Sequence, residues 1–242
     1  MPAPSSNTPL GVEQEKSSHL RRIQRPELFR IASEYCACLL HGEREKARSL
    51  ILETARSGTS IEDLYLSVLQ PVQYEMGRLW EENRISVALE HFSTAVTQLI
   101  MAQLFPSLLS EHRNGYRLVA CCIGNELHEL GMRMVADFLE MEGWDTYFLG
   151  ANTPNEAILS ALEDHGAHCL AVSVTMTHHL KQAQGLVKAL RHEPRLKDVK
   201  LLIGGYPFTR DESLHQDFDA DGWGRDAREA ARMAKLLMSG QE

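Results

Sequence analysis

The sequence lacks the features that would place it at or beyond a membrane. None of its apolar runs approaches the roughly 20 residues that a membrane-spanning helix needs. The first residues also lack the apolar segment of a secretory signal peptide. Its 242 residues include only five cysteines, an odd number, and Cys121 and Cys122 are adjacent within an apolar run. Reduced thiols are therefore expected, and we predict a cytoplasmic protein without a membrane partner.

The sequence also has no excess of basic residues. The chain has 25 Lys and Arg against 33 Asp and Glu, which gives a net charge of -8. Because nucleic-acid-binding domains usually carry a basic surface, we expect no direct binding to nucleic acid. The predicted disordered segment, residues 1–25, is rich in Ser and Pro near its start and is too short to hold a helix-turn-helix domain.

Several catalytic motifs are absent as well. The sequence has no Gly-x-x-x-x-Gly-Lys-Ser/Thr phosphate loop and no Gly-x-Gly-x-x-Gly dinucleotide loop after a strand. It also has no Gly-x-Ser-x-Gly nucleophile elbow. We therefore predict no catalytic residues and a protein that is not itself an enzyme.

The apolar spacing divides the chain into two parts. From 26 to 110 it is helical throughout and predicts a four-helix bundle. After a polar bridge, strand-like runs at 117–123, 146–149, 169–173 and 200–203 alternate with helical ones. This alternation predicts a Rossmann-like domain over 116–240, with a flavodoxin-like, five-stranded parallel sheet.

Glycines, small hydroxyl residues and one histidine follow three of these strands. In parallel sheets, ligands bind outside the carboxyl ends of the strands, so these residues are expected along one edge. Glu126 could hold a ring nitrogen of His128 and set its tautomer, as is typical of a metal-bound imidazole. One histidine cannot hold a bare metal tightly, so a metal already held in a macrocycle fits better. A general-base pair would look the same in sequence.

These residues resemble a known family. The motifs Glu126-x-His128-x-x-Gly131, Ser173-x-Thr175 and Gly204-Gly205 are similar to the signatures of cobalamin-binding domains, and residues 26–110 resemble the helical cap over the corrin. The resemblance implies that His128 is the lower cobalt ligand and that Glu126 is its hydrogen-bond partner. It also implies that the displaced nucleotide tail of cobalamin contacts Gly131, Ser173, Thr175, Gly204 and Gly205.

The chain departs from the family pattern at two of these positions. Most members have aspartate where this chain has Glu126, and leucine is usual where it has Thr175. Tyr206 stands at the expected rim and is a further candidate contact to the cofactor. His178 and His179 could approach the corrin rim, but we interpret them as a solvated loop or helix start.

The cap contains Trp80, nine residues, then Glu90 and His91. This spacing resembles the cap motif of adenosylcobalamin photoreceptors, in which the tryptophan packs on the upper adenosyl group. A break near residues 83–86, with Ser86 capping a new helix, would bring all three residues to one end of the bundle. In the photoreceptors a histidine follows the tryptophan, whereas this chain has Glu81.

The motif favours a light sensor that binds adenosylcobalamin. Cleavage of the upper cobalt bond would shift the cap and change a homo-oligomer or the binding of a separate effector protein. Two alternatives remain open. One is a corrinoid carrier of a methyltransferase system, and the other is a sensor that binds biliverdin as a second chromophore between cap and sheet domain.

Overall fold

The structure is a computed structural model that describes residues 19–240. Its N-terminal part is helical, as predicted. The helices are α1 (Pro26–Leu40), α2 (Arg44–Arg56), α3 (Ile61–Leu64), α4 (Gln70–Glu81) and α5 (Val87–Leu104). A π-helical turn, Tyr65–Leu69, joins α3 to α4, so that the bundle has four continuous helical segments.

Local signals explain where these helices begin. Pro26 occupies the first turn of α1, where a missing N–H costs nothing. The side chains of Ser60 and Ser86 each accept a backbone N–H in the first turn of α3 and α5. Pro71 cannot donate to the carbonyl of Ser67, and the wider π turn directly before it accommodates this loss.

The predicted disordered segment, residues 1–25, needs a correction over its last seven residues. Residues 1–18 lie outside the described part of the chain. Within 19–25, Leu20–Arg22 form a 3-10 helix, and Leu20 is buried in the core of the helical domain. Burial of an apolar side chain stabilises this short helix.

The C-terminal part is a parallel sheet of five strands in the order β2-β1-β3-β4-β5, the predicted flavodoxin-like order. The strands are β1 (Arg117–Ile123), β2 (Asp145–Thr153), β3 (Cys169–Ser173), β4 (Lys200–Gly204) and β5 (Gly222–Gly224). The helices are α6 (Leu130–Met141), α7 (Asn155–Asp164), α8 (Leu180–His192), α9 (Tyr206–Arg210) and α10 (Ala227–Ser239). No run in the sequence indicated β5, because it has only three residues and two of them are glycine.

The two faces of the sheet belong to different cores. One core lies between the sheet and helices α7 and α8. The other is shared by the opposite face, by α6 and α10, and by the interior of the helical domain. The Tyr65 hydroxyl crosses this shared core and donates to Asp137 at 2.9 Å. Within residues 19–240 no helix is both long and apolar enough to cross a membrane.

Candidate functional site

The loop after β1 places a buried carboxylate beside a histidine. The side chain of Glu126 is 0% exposed. Its Oε1 atom accepts the ring Nδ1–H of His128 at 2.5 Å and the backbone N–H of the same residue at 3.1 Å. Glu126 therefore fixes both the backbone and the ring of His128.

The other oxygen of Glu126 is bound by the loop after β3. Its Oε2 atom accepts the backbone N–H groups of Thr175 at 2.8 Å and Met176 at 3.0 Å, and Nδ1 of His179 lies at 3.1 Å. This one carboxylate thus joins the ends of two neighbouring strands, β1 and β3.

The hydrogen bonds settle the charge of Glu126. Burial raises the pKa of this carboxyl, but hydrogen bonds from His128, Met176, Thr175 and His179 outweigh burial and hold the pKa well below its usual value. An ionised carboxylate can only accept hydrogen bonds, so both imidazoles must present Nδ1–H to it. The Nε2 atom of each ring then points away from Glu126.

Exposure distinguishes the two histidines. The side chain of His128 is 57% exposed, whereas that of His179 is 12% exposed. Only His128 can therefore offer Nε2 to a large ligand. The hydrogen bond to Glu126 raises the pKa of His128, although burial opposes this shift. His179 lies at the start of α8, as one of our two interpretations of it had it, but it is not solvated, because its ring packs inward onto Glu126. His178 is exposed.

The two departures from the family pattern, Glu126 and Thr175, are joined by one hydrogen bond. The extra methylene of glutamate lets the carboxylate extend from the β1 loop to the β3 loop while it still holds His128. Thr175 contributes a backbone N–H, which any residue other than proline could supply. Its side chain is therefore not what binds Glu126.

A narrow cleft opens beside this site, between the edge of the sheet, α6 and α10. It brings together Gly131, Ser173, Gly204 and Gly205, and the helical domain closes it with Gln70 and Tyr74. Gly205 has φ +111°, and a Cβ atom there would lie 2.0 Å from the carbonyl oxygen of Val174. Only glycine fits at 205.

Gly131 and Gly204 keep the same cleft open in different ways. A Cβ atom at Gly131 would meet nothing within 4 Å and would project into open space. One at Gly204 would lie 3.2 Å from the carbonyl oxygen of Gly224, so the passage between β4 and β5 is tight. Tyr206, the first residue of α9, is 54% exposed at the rim.

The cap motif lies where α4 ends and α5 begins. Trp80 is in the last turn of α4 and is 45% exposed, whereas Glu90 and His91 are in the first turns of α5. Glu90 accepts from His91 Nδ1 at 2.7 Å and from Thr94 at 3.2 Å. The charge of Glu90 adds to the raised pKa of His128, after the hydrogen bond to Glu126 as the main cause. Further along α5, Gln98 donates to Glu129 of the loop after β1.

Sequence reasoning missed two residues that support this site. One is His179, described above. The other is Glu129, whose carboxylate accepts from Gln98 of α5 at 2.6 Å and from the backbone N–H of Ala151 at 2.9 Å. The position of Glu129 directly after His128 could have indicated a role at the site, but nothing in the sequence indicates that it binds Gln98.

The site does not suit a bare metal ion. Among residues 19–240 there is no group of three or more His, Cys, Asp or Glu side chains that could hold one. A single accessible imidazole, fixed by a carboxylate, fits a metal that brings its other ligands in a macrocycle. A glycine-lined cleft beside that imidazole fits an extended appendage of the same molecule.

Comparison with known proteins identifies the family. A model described as a B12 binding domain matches residues 116–232, and a second model with the same description matches 31–105. The chain belongs to the B12-binding family. The two matches cover the sheet domain and the helical domain, so the predicted cobalamin-binding resemblance is confirmed.

Three corrinoid proteins are similar to this chain at about a fifth to a quarter of their aligned residues. The dimethylamine corrinoid protein of Methanosarcina barkeri is 24% identical over 69% of this chain and 76% of its own length. Dimethylamine corrinoid protein 3 of Methanosarcina acetivorans is 23% identical over 87% of this chain and 96% of its own length. A corrinoid protein of Desulfitobacterium hafniense is 19% identical over 87% of this chain and 99% of its own length.

A solved structure has the same fold. The monomethylamine corrinoid protein of Methanosarcina barkeri superposes with a TM-score of 0.75 at 22% identity, over 86% of this chain and 99% of its own. The predicted architecture, a helical cap followed by a five-stranded Rossmann-like domain, is therefore confirmed.

The prediction of a light sensor is wrong. These relatives are corrinoid proteins, two of them named for dimethylamine, and they match the chain across both domains. The Trp80, Glu90 and His91 spacing misled the prediction because a cap over the upper face of a corrinoid serves a carrier as well as a sensor. Glu81, at the position where the photoreceptors have a histidine, was a signal against the sensor at that end of the cap, and the prediction gave it too little weight.

Proposed function

We propose that this protein is the corrinoid carrier of a methyltransferase system. The observation that carries the proposal is the Glu126–His128 pair, in which a buried, ionised carboxylate holds an exposed imidazole with Nε2 directed outward. The relatives named as dimethylamine and monomethylamine corrinoid proteins support the same function. A methylated amine is accordingly the substrate class that we favour for the partner enzyme.

Within this proposal His128 is the lower ligand of cobalt and Glu126 sets its orientation and basicity. The glycine-lined cleft receives the nucleotide tail, with contacts from Gly131, Ser173, Gly204 and Gly205. Thr175 acts through its backbone N–H to Glu126. Tyr206 is positioned to contact the rim of the cofactor.

Bound cobalamin would supply a cobalt centre that accepts and releases a methyl group. The chain itself would hold the cofactor through His128, with Glu126 fixing the imidazole, and the end of the cap with Trp80, Glu90 and His91 would cover the site. Methyl transfer to and from the carrier then needs separate enzymes, for which the cap must move aside. The protein in this proposal binds and presents the methyl group and is not itself the catalyst.

The carrier function does not require the other predicted features, which are an adenosyl upper ligand, biliverdin, a separate effector protein and a homo-oligomer. A methyl group replaces adenosine as the upper ligand, and biliverdin has no role in methyl transport. A separate partner protein agrees with the predicted separate effector, although its task is catalysis. A homo-oligomer stays a prediction.

Reconstitution with hydroxocobalamin tests the proposal. The loaded protein, freed of excess cofactor, is reduced to the Co(I) state and treated with iodomethane. We expect the protein-bound cobalamin to become methylated, to stay bound through gel filtration and to return to Co(I) when a thiol acceptor and a corrinoid-dependent methyltransferase are added. A protein that retains no cobalamin, or whose bound cobalamin cannot be methylated while free cobalamin can, would refute the carrier function.

A further inference from the structure

Two clefts of the molecule are separated by side chains of the helical domain. The inner cleft is the glycine-lined one described above, and it has a volume of about 80 Å³. An outer cleft of about 400 Å³ lies between residues 19–25, α1 and the start of α4. Gln70 and Tyr74 line both clefts, so these two side chains form the partition between them.

The inner cleft is too small for the nucleotide tail that we assign to it. Small-molecule pockets in proteins usually measure about 300–1,000 Å³, so a space of about 80 Å³ cannot admit a nucleotide unless one wall moves. Most of its walls are fixed, because Ser173 and Gly204 belong to paired strands and Ala227 and Ala230 of α10 are buried. The wall formed by Gln70 and Tyr74 consists of side chains only.

Tyr74 is held loosely enough to move. It is 51% exposed, and the hydrogen bond from Nε2 of Gln70 to its hydroxyl is long, at 3.4 Å. On the outer side the ring of His19 lies 5.5 Å away between centroids, at an interplanar angle of 45°. A change of side-chain rotamer toward the outer cleft would therefore widen the inner cleft without any movement of the backbone.

We propose that Tyr74 is the gate through which the lower base of the corrinoid nucleotide enters the inner cleft, and that it is a specificity-determining contact to that base. This inference rests on the proposed function, in which the inner cleft receives the nucleotide tail. As the tail enters, Tyr74 turns into the outer cleft, and its ring then packs on the base. Aromatic rings favour such contacts. The helical domain thereby selects corrinoids that carry a planar aromatic base.

The test uses two corrinoids in which no lower base coordinates cobalt, so that displacement of a base does not affect the rates. p-Cresolylcobamide carries a phenolic base on its nucleotide tail, and cobinamide has no nucleotide. Stopped-flow absorption gives the association and dissociation rate constants of both for the wild type, Tyr74→Ala and Tyr74→Phe. Tyr147→Ala is the matched control, because Tyr147 stacks on His165 at the edge strand β2 and lines neither cleft.

We expect the wild type to bind p-cresolylcobamide more slowly than cobinamide, because only a tail has to pass the gate. Tyr74→Ala should abolish this difference in association rate. It should also raise the dissociation rate of p-cresolylcobamide about 2- to 10-fold, which corresponds to the loss of one aromatic contact, and should leave that of cobinamide unchanged. Tyr74→Phe and Tyr147→Ala should behave like the wild type.

The same measurements separate failure of this inference from failure of the proposed function. Unchanged rates for p-cresolylcobamide in Tyr74→Ala, or equal changes for both corrinoids, would overturn the role of Tyr74; Tyr74→Leu is a second ring-free variant if the alanine variant does not fold. If the wild type bound both corrinoids at equal rates, the gate would be overturned, yet methylation of the bound cobinamide would still support a carrier. A wild type that binds neither corrinoid would overturn the proposed function as well.

Discussion

The side-chain amide of Gln98 donates to Glu129 at 2.6 Å, and this hydrogen bond joins the cap helix α5 to the residue directly after His128. Glu129 is held from its other side by the backbone N–H of Ala151 at 2.9 Å. The cap is thus attached to the same loop that presents the candidate cobalt ligand. A carrier whose cap must move for methyl transfer has to break such a contact.

Replacement of Gln98 by leucine should loosen the attachment of the cap. Hydrogen bonds to charged groups contribute roughly 1.5–3 kcal/mol, so we expect the free energy of unfolding to fall by about that amount. Urea unfolding of the apoprotein measures the change. Gln103→Leu, on the same helix, is the control: Gln103 binds Arg48 at an exposed site, and its loss should cost no more than about 0.5 kcal/mol. If the free energy of unfolding fell by the same amount in Gln98→Leu and Gln103→Leu, this role for Gln98 would be contradicted.

The buried carboxylate of Glu126 should make the apoprotein sensitive to acid. Its pKa is lowered by the fold, so its contribution is fully present above the usual value of 4.5 and is lost as the pH falls below it. We expect the free energy of unfolding of the wild type to drop steeply from about pH 5 to about pH 3. Glu126→Gln should be less stable at neutral pH and should show a shallower slope in that range. Parallel slopes for the two proteins would show that Glu126 is not ionised in the fold.

The effect of His128 on the free energy of unfolding should have the opposite pH dependence and should appear at higher pH. Its pKa is raised above the usual 6.5, so the stability that it adds is present below that value and is lost as the pH rises through the folded pKa. His128→Ala should remove this alkaline loss and should reduce, without abolishing, the acid loss from Glu126, because the backbone N–H groups of Thr175 and Met176 still bind that carboxylate. Chemical shifts of the ring protons across the titration report the pKa of His128 directly. A value at or below 6.5 would contradict the pairing with Glu126.

Two glycines of the cleft should respond differently to alanine. Gly131→Ala adds a methyl group to open space in α6, so the apoprotein should be as stable as the wild type or up to about 1 kcal/mol more stable. The same methyl group enters the cleft, and the affinity for cobalamin should fall. Urea unfolding and equilibrium titration with hydroxocobalamin measure the two effects. Unchanged affinity would mean that the cofactor does not occupy this cleft.

Gly205→Ala should instead damage the fold. Gly205 and Gly58 both have positive φ, at +111° and +97°, but a Cβ atom at 58 meets nothing within 4 Å, whereas one at 205 would overlap the carbonyl oxygen of Val174. Gly58→Ala should therefore cost only the backbone strain, about 1–2 kcal/mol, and Gly205→Ala clearly more. Equal thermal midpoints for the two variants would contradict this account of Gly205.

The sequence alone predicted the architecture well, for physical reasons. Helical spacing in the cap and alternating runs in the sheet domain are strong periodic signals, and the predicted break near Asn83 fits the end of α4 at Glu81 and the serine cap at Ser86. The three-residue strand β5 gave no such signal. The 3-10 helix at Leu20–Arg22 was missed because it packs onto the bundle through the burial of Leu20, which has no local signal in the sequence.

The pairing of Glu126 with His128 was predicted because the two residues are close in the chain. The approach of His179 to Glu126 was not, because it depends on the register of β1 with β3 and on the length of the glutamate side chain. The function was mispredicted for a related reason. The spacing from Trp80 to His91 indicates a helical cap, but it does not indicate whether the bound cofactor senses light or carries a methyl group.

The EPR spectrum of Co(II) cobalamin bound to protein with ¹⁵N-labelled histidine tests the central claim most directly. If His128 is the lower ligand, each cobalt line is split by one axial nitrogen, the splitting changes from a triplet to a doublet on labelling, and it is lost in His128→Ala. A splitting that is the same with and without the label, or that persists in His128→Ala, would contradict the assignment on which the carrier proposal rests.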